Sequence, residues 1–316
     1  MALVIDGLKK RFGEVQALDG ISFSVEPGVV FGFLGANGAG KTTTMRIVLD
    51  ILLPDEGSVT WNGQDARHLP RRTWGYLPEE RGLYPRMKVL DQLVFFASLY
   101  GIPRRKAADE VRYWLTRFRV PEYADRRAEE LSKGNQQKIQ FIAAILHDPD
   151  VLLMDEPFAA LDPVNVALLK EAFLEMRDRG KTLVFSTHQM EMVEELADSI
   201  AIIDRGRMVV GGTVQEVRRQ GGRQVVRLGV AGDPDLPWLV ELDGVAMLRP
   251  GRDYSELQVA PGRDPGSILQ VALARGESIT RFEIGDPTIE DIFIEHVGAV
   301  DRDERTLAAV PEAHPS

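Results

Sequence analysis

The sequence predicts an α/β fold: a mostly parallel sheet wrapped by helices and interrupted by a helical insertion, with a small α+β domain after it. Three observations predict it. Over the first 220 residues, apolar strand-like runs alternate with longer helical segments, and the clearest runs are VVFGFL (29–34), VLLM (151–154) and TLVFST (182–187). Between the first two runs, Val89 to Arg119 carries helical rather than strand periodicity. From about Arg223 the texture changes to short alternating strands separated by two short helices.

Taken in chain order, VVFGFL is a buried strand that leads into GANGAGKT (35–42), and TTTMRIVLDILL (42–53) leads out of it as a helix. The helical insertion spans about 88–147. Its first helix, VLDQLVFFASLYG, is closed by Gly101 and Pro103, and a charged second helix starts at Arg104. VLLM and TLVFST then supply two further buried strands, and the first domain runs over 1–220. The link RRQGGR (218–223) opens the second domain, 223–298, which reads RQVVRLGV, a turn at RPGRD, SELQVA, the helix GSILQVALARG, the strand SITRFEI and the closing helix PTIEDIFIEHV. The charged, alanine- and proline-containing end, 299–316, is expected to be disordered.

Composition narrows the function. A chain of 316 residues with 44% hydrophobic and 27% charged residues is an ordinary globular protein with room for two domains. Its formal net charge of -10 argues against nucleic acid as a partner, because that binding rests on clustered Lys and Arg. With no cysteine, disulfide and thiolate chemistry are excluded. MALVIDGLKK lacks a basic leader followed by an apolar core, so no secretory signal is expected, and no apolar run is long enough to span a bilayer. A role at a membrane therefore requires another chain to hold this one there.

GANGAGKT fits the phosphate-loop pattern of two glycines flanking four residues, then Lys and Thr, with a strand before it and a helix after it. Small residues let successive backbone N–H groups close around phosphate oxygens, and the helix N-terminus adds positive potential. The expected nucleotide contacts are Gly35, Asn37, Gly38, Ala39, Gly40, Lys41, Thr42 and Thr43. Lys41 is expected to reach the terminal phosphates and the Thr42 hydroxyl to ligate Mg2+. A plain glycine turn would account for the glycines but not for the lysine, the threonine and both flanks together.

VLLMDEP (151–157) delivers Asp155 and Glu156 to the C-terminal end of a buried strand, where ligands bind in open α/β sheets. Asp155 is expected to face Mg2+, and Glu156 to polarise the water that attacks the terminal phosphate. TLVFSTHQ ends a strand at His188, placing an imidazole where it could contact that phosphate and orient the water. Phe12, in KKRFGEV, is a candidate to stack on a flat base, although a lone aromatic there is more often a core residue.

The order of phosphate loop, LSKGNQQK (131–138), VLLMDEP, AALD (159–162) and strand-end His188 resembles the nucleotide-binding subunit of ABC transporters over about residues 2–220. The resemblance implies a P-loop NTPase core of ABC type that binds ATP and Mg2+ and hydrolyses ATP. LSKGNQQK matches the family's signature LSGGQ, with Lys133 in place of the first Gly and Asn135 in place of Gln. In that family the signature closes over ATP held by the phosphate loop of a second subunit, head to tail. Ser132 and the backbone N–H of Gly134 are accordingly implied to face the terminal phosphate of the partner's ATP, Gln136 and Asp162 of AALD are further implied nucleotide contacts, and the partner is expected to be an identical chain. Lys133 is expected to point into solvent.

The family usually carries Gln in the loop before its helical insertion, where it helps bind Mg2+ and senses the transport partner. GYLPEERGLYP (75–85) places Glu79 there, or Glu80 with a register shift of one. A carboxylate is a competent hard-oxygen ligand, although it adds negative charge near the triphosphate. GYLPEERGLYP, LSKGNQQK and IGDPTIEDIFIEHVG (284–298) together resemble a bacterial subgroup that includes sodium-extrusion ATPases and pairs with separate permeases of the ABC-2 export type. That resemblance implies a peripheral subunit on the cytoplasmic face of an integral-membrane permease, bound through the groove beside Glu79 to Pro85. A soluble ATPase of the same type acting on ribosomes or DNA is the alternative. The single phosphate loop, the acidic balance and the lack of sustained heptads weigh against it. The C-terminal domain shows no catalytic constellation and reads as a packing or dimer-supporting module.

Overall fold

A computed structural model of the chain describes residues 2–80, 82–159, 161–220, 222–231 and 236–297. The disorder expected over 299–316 lies outside the described residues, as do Ala160 of AALD and Gly221 of the link. The chain divides between Thr213 and Val214 into two compact units. The boundary falls before the expected residue 220, because the segment that follows Thr213 is helical and bonds to the C-terminal unit: the Arg218 Nε–H donates to the Pro287 carbonyl at 3.0 Å.

The first unit opens with strands β1 (Leu3–Phe12) and β2 (Val15–Val25), an antiparallel hairpin turned by Gly13 at φ 57°. Strand β3 (Val30–Gly35) is buried at every position, the pattern of a strand covered on both faces. Helix α1 (Lys41–Val48) follows, then β4 (Glu56–Trp61), β5 (Gln64–Asp65) and β6 (Trp74–Leu77). The helix expected over 42–53 stops at Val48. Asp50 sits at φ 52°, and Arg71 holds both the Leu49 carbonyl and, at 2.9 Å, the Asp50 carboxylate, so the chain turns away and leaves Ile51 and Leu53 exposed.

The insertion contains α2 (Val89–Leu99), α3 (Arg104–Arg117) and α4 (Lys133–Ile145). Gly101, at φ 77°, and Pro103 separate the first two helices. The unit closes with β7 (Val151–Asp155), α5 (Pro163–Asp178), β8 (Thr182–Thr187), α6 (Met190–Leu196), β9 (Ser199–Asp204) and β10 (Arg207–Thr213).

Two sheets result. The central one has the order β10-β9-β3-β8-β7-β6 and is parallel except for its edge strand β10. The second, β2-β1-β4-β5, is antiparallel, an addition that the expectation of a mostly parallel sheet did not include. Leu3, Ile5, Leu8, Leu18 and Ile21 of the hairpin bury against the layer that contains Phe31, Phe33, Val151 and Leu153. Each such burial contributes about 1.5–3 kcal/mol. An aromatic chain ties the insertion to the central sheet: Trp114, Phe118, Phe141, Phe173 and Phe185 have successive ring centroids 6.0, 5.7, 5.9 and 5.9 Å apart.

The second unit contains α7 (Val214–Arg219), β11 (Gln224–Val230), β12 (Val245–Arg249), β13 (Ser255–Val259), α8 (Gly266–Ala274), β14 (Ile279–Gly285) and a last helix, α9, over 289–297. A single helical turn, Pro237–Glu241, lies between β11 and β12. The antiparallel order β12-β13-β11-β14 with this connectivity is that of a ferredoxin-like split βαβ unit whose first helix is reduced to one turn. Val226, Leu228, Leu257, Val259 and Ile268 form its core.

Candidate functional site

The parallel register brings the C-terminal ends of β3, β6, β7 and β8 to one edge of the central sheet: Leu34 pairs with Thr187, Asp155 with Ser186 and Leu77 with Met154. That edge is where open α/β sheets bind ligands. A cavity of about 240 Å³ lies there. Asn37, Gly38, Gly40, Lys41, Thr42 and Thr43 of the loop and the start of α1 line it, together with Ala17, Glu79, Asp155 and Glu156.

The loop's shape follows from its glycines. A Cβ on Gly35 would lie 2.6 Å from the Ile203 carbonyl oxygen. Gly40 caps α1 at φ 110°, and a Cβ there would lie 2.6 Å from Leu18 Cδ2 and 2.8 Å from the Ala17 carbonyl. Because α1 begins at Lys41, the N–H groups of Lys41, Thr42 and Thr43 have no acceptor within the helix, and they carry the positive end of its dipole. Such an edge suits phosphate oxygens.

Gly35 and Ala39 do not line the cavity, and each does something else. Gly35 offers its carbonyl to Lys41 Nζ at 2.6 Å, and Ala36 does the same at 3.1 Å. Ala39 is buried, with its N–H closed on Ala36 O and its carbonyl on the Gly206 N–H, so it shapes the loop. The Lys41 ammonium is thus aimed by two carbonyls. Burial pushes its pKa down, opposed by the negative charges of Glu156, Asp155 and Glu79.

The two acids are held differently. Asp155 is almost fully buried at the end of β7, and its Oδ2 accepts a 2.6 Å bond from the Thr42 hydroxyl while its Oδ1 accepts from the Ser186 hydroxyl. Glu156 adopts φ 48°, a conformation that a non-glycine residue keeps only where its surroundings enforce it. Its N–H donates to the Ser186 carbonyl at 3.1 Å and lies 3.3 Å from Ser186 Oγ. Its Oε2 accepts from the Thr187 hydroxyl at 3.2 Å, and its Oε1 lies 2.8 Å from His188 Nδ1. The imidazole is 62% exposed, so His188 stands at the rim with one nitrogen on the Glu156 carboxylate.

Thr42, Asp155 and Glu79 are hard oxygen donors at one wall of the cavity, a set that suits Mg2+. Among the described residues no group of three His, Cys, Asp or Glu gathers to hold a metal by itself. Of the two residues left open by the sequence register, Glu79 lines the cavity, whereas Glu80 offers its carbonyl to Gln140 Nε2 at 3.2 Å.

Phe12, at the end of β1, is 48% exposed with Lys10 Nζ 5.6 Å from its ring centroid, which removes the core alternative, and it is not among the residues that line the cavity. In the signature segment, Ser132 caps α4 by accepting from the Asn135 N–H at 3.4 Å, and Gly134 lies in the first turn. Lys133 is exposed, as expected. Gln136 differs from expectation: its amide nitrogen donates to the carbonyls of Ala128 and Leu131, so it fixes the signature loop from behind. Asp162 is the cap of α5, accepting from the Asn165 N–H at 3.0 Å, and that bond holds its carboxyl below the usual range.

Sequence reasoning passed over Ser186 and Thr187, the two hydroxyls on which the acids rest. The signal was a pair of polar residues ending an otherwise apolar run, TLVFST. It also passed over Gln137, whose side chain donates to the Pro157 carbonyl at 3.1 Å and so couples the signature helix to the segment after Glu156.

Comparison with known proteins places these features in context. Residues 18–159 match the family described as ABC transporter, and residues 212–297 match the C-terminal domain of DrrA1-3-like ATP-binding proteins. The chain is 46% identical over 298 residues to the uncharacterized ABC transporter ATP-binding protein YhaQ of Bacillus subtilis, covering 94% of this chain and 99% of the relative. It is 35% identical over 310 residues to the Nod factor export ATP-binding protein I of Ralstonia nicotianae, covering 95% of each. Among solved structures, an ATP-binding subunit of an ABC transporter superposes with a TM-score of 0.66 at 30% identity, covering 70% of this chain and 94% of that one.

Proposed function

Because this chain belongs to the family of ABC transporter ATP-binding proteins, ATPases by their characteristic activity, we propose that it works as a pair of identical subunits that close head to tail on ATP and drive a separate ABC-2-type permease in the export direction. The observation that carries this reading is a cavity with only half of a phosphate site. The loop, Lys41 and the two acids line it, whereas Ser132 and Gly134 of the signature belong to α4 and are not among its walls. A second copy would bring its signature helix N-terminus to the terminal phosphate and complete the enclosure.

In this mechanism the first-turn N–H groups of α1 and the Lys41 ammonium bind the phosphates, and Phe12 stacks on the base. The Thr42 hydroxyl and Asp155, with Glu79 alongside, would hold Mg2+, which would supply charge neutralisation at the phosphates. Glu156 is the general base: its carboxylate takes the proton of the attacking water, with His188 holding Oε1 at the rim. Hydrolysis removes the phosphate contact shared between subunits, and the pair reopens. Two chains of formal charge -10 add electrostatic repulsion to that opening.

No described helix is long and apolar enough to cross a membrane. The coupling surface in this proposal lies on the insertion. Within the Glu79 to Pro85 segment, Tyr84 packs on Phe95 and Phe96 of α2 with ring centroids 6.3 and 5.7 Å apart, and Tyr84, Phe95 and Leu99 stay exposed. An apolar, aromatic surface adjoining the loop that carries Glu79 suits a permease segment. What is exported, sodium or another solute, is set by that permease. Affinity purification of the full chain from detergent-solubilised membranes is expected to recover an integral-membrane protein of the ABC-2 type. Recovery with ribosomal particles and no membrane protein would overturn the transporter reading.

A further inference from the structure

We infer that Thr187 is a positioning residue for hydrolysis, and that its hydroxyl fixes the plane of the Glu156 carboxylate. Three consecutive residues at the end of β8 grip Glu156: Ser186 takes its N–H, Thr187 donates to Oε2 at 3.2 Å, and His188 meets Oε1 at 2.8 Å. Thr187 is fully buried, and its Oγ1 also accepts from the Gln189 N–H at 3.0 Å. That second bond sets the direction of the hydroxyl proton, because an oxygen already accepting from Gln189 turns its own O–H toward the remaining acceptor, the carboxylate. The rim imidazole alone would leave the carboxylate free to rotate about its last torsion, which is broad for Glu. With one donor on each oxygen, rotation breaks a bond at either end. Thr187 does not line the nucleotide cavity, so it acts on the reaction through the carboxylate it holds rather than through a contact of its own with the nucleotide.

The inference rests on Glu156 being the general base, and the experiment separates the two. Steady-state ATP hydrolysis, ATP affinity by calorimetry and thermal stability are measured on full-length Thr187→Val, Thr187→Ser, Glu156→Gln and the double variant Thr187→Val with Glu156→Gln. Valine keeps the shape and removes the hydroxyl, so kcat is expected to fall about 10- to 100-fold with ATP affinity unchanged, the scale of a misaligned catalytic group. Serine keeps the hydroxyl and loses a buried methyl, so it is expected to be less stable than wild type yet to retain kcat within about threefold. A packing role would give the opposite ranking. In the Glu156→Gln background, Thr187→Val is expected to change turnover by less than about twofold. Wild-type kcat in Thr187→Val, an equal loss in Thr187→Ser, or a loss of affinity in place of kcat would overturn the positioning role while leaving Glu156 as base. Wild-type turnover in Glu156→Gln would overturn both.

Discussion

The Thr42 hydroxyl donates a 2.6 Å hydrogen bond to Asp155 Oδ2, joining the first turn of α1 to the end of β7 across 113 residues of chain. Both residues line the cavity, and their two oxygens are the pair we propose for a divalent cation.

Thr42→Val removes one oxygen from that pair and leaves the other without its donor. The Mg2+ concentration needed for half-maximal hydrolysis is expected to rise by about tenfold, a loss on the scale of one hydrogen bond to a charged group. A chelator is expected to stop hydrolysis without shifting the melting temperature of the nucleotide-free protein. Magnesium titrations of activity, with calorimetric melting alongside, check both.

Lys41→Met tests the cost of holding a buried ammonium. Burial lowers the folded-state pKa of Lys41, so just below the ordinary lysine range near 10.5 the unfolded chain binds more protons than the folded one. Stability from this group is therefore fully present above that range and is lost as pH falls through the window between the folded and ordinary values. Urea unfolding at pH about 8 and about 10 is expected to show a flatter pH dependence in Lys41→Met than in wild type. ATP affinity is expected to fall by at least about tenfold, because a charge-assisted phosphate contact is lost.

Glu156→Gln keeps the shape of the side chain and removes the base. Turnover is expected to fall by about 100-fold or more, with ATP binding retained. Size-exclusion chromatography with ATP and Mg2+ is expected to show a dimer that wild type does not accumulate. A monomer under saturating ATP would argue against head-to-tail closure.

Lys133→Gly restores the glycine usual at that place in the signature. The side chain is exposed at the first position of α4, so ATPase activity is expected to stay within about twofold, at a stability cost of no more than about 1 kcal/mol. A large loss of activity would assign Lys133 a phosphate contact. Ser132→Ala is the contrast, because it removes a cap that contributes about 1 kcal/mol and opens the N-terminus of the same helix.

In the C-terminal unit, Thr288 and Asp291 form a reciprocal cap at the start of α9: the Thr288 N–H donates to Asp291 Oδ2 at 3.0 Å and the Asp291 N–H to Thr288 Oγ1 at 3.1 Å. Arg249 of β12 adds an ion pair to the mostly buried Asp291 at 2.9 Å. Thr288→Ala is expected to cost about 1 kcal/mol and to raise hydrogen exchange in 289–297, with basal ATPase activity unchanged.

Local sequence made the site legible wherever a short stretch carries its own geometry. The glycines, Lys41 and Thr42 lie within eight residues, and the apolar run before Asp155 and Glu156 announces a buried strand that must end at the sheet edge. The hairpin sheet was less legible. Its strands β1 and β2 are interrupted by register shifts that break period-two alternation, so no clean strand signal survives. The end of α1 was hidden too, because Asp50 is turned by Arg71 from 21 residues away.

The sequence by itself determined the family of chemistry, since motif order and residue type identify an ABC-type ATPase with a phosphate loop and two strand-end acids without reference to any contact. The tertiary structure alone decided how those groups are held. It placed Glu79 rather than Glu80 at the cavity, turned Gln136 inward and set Ser186 and Thr187 beneath the acids. The reason is physical: hydrogen-bond partners 31 residues apart, such as Thr187 and Glu156, meet only because β7 and β8 pair in one parallel register, and a shift of one residue would turn the hydroxyl to the opposite face.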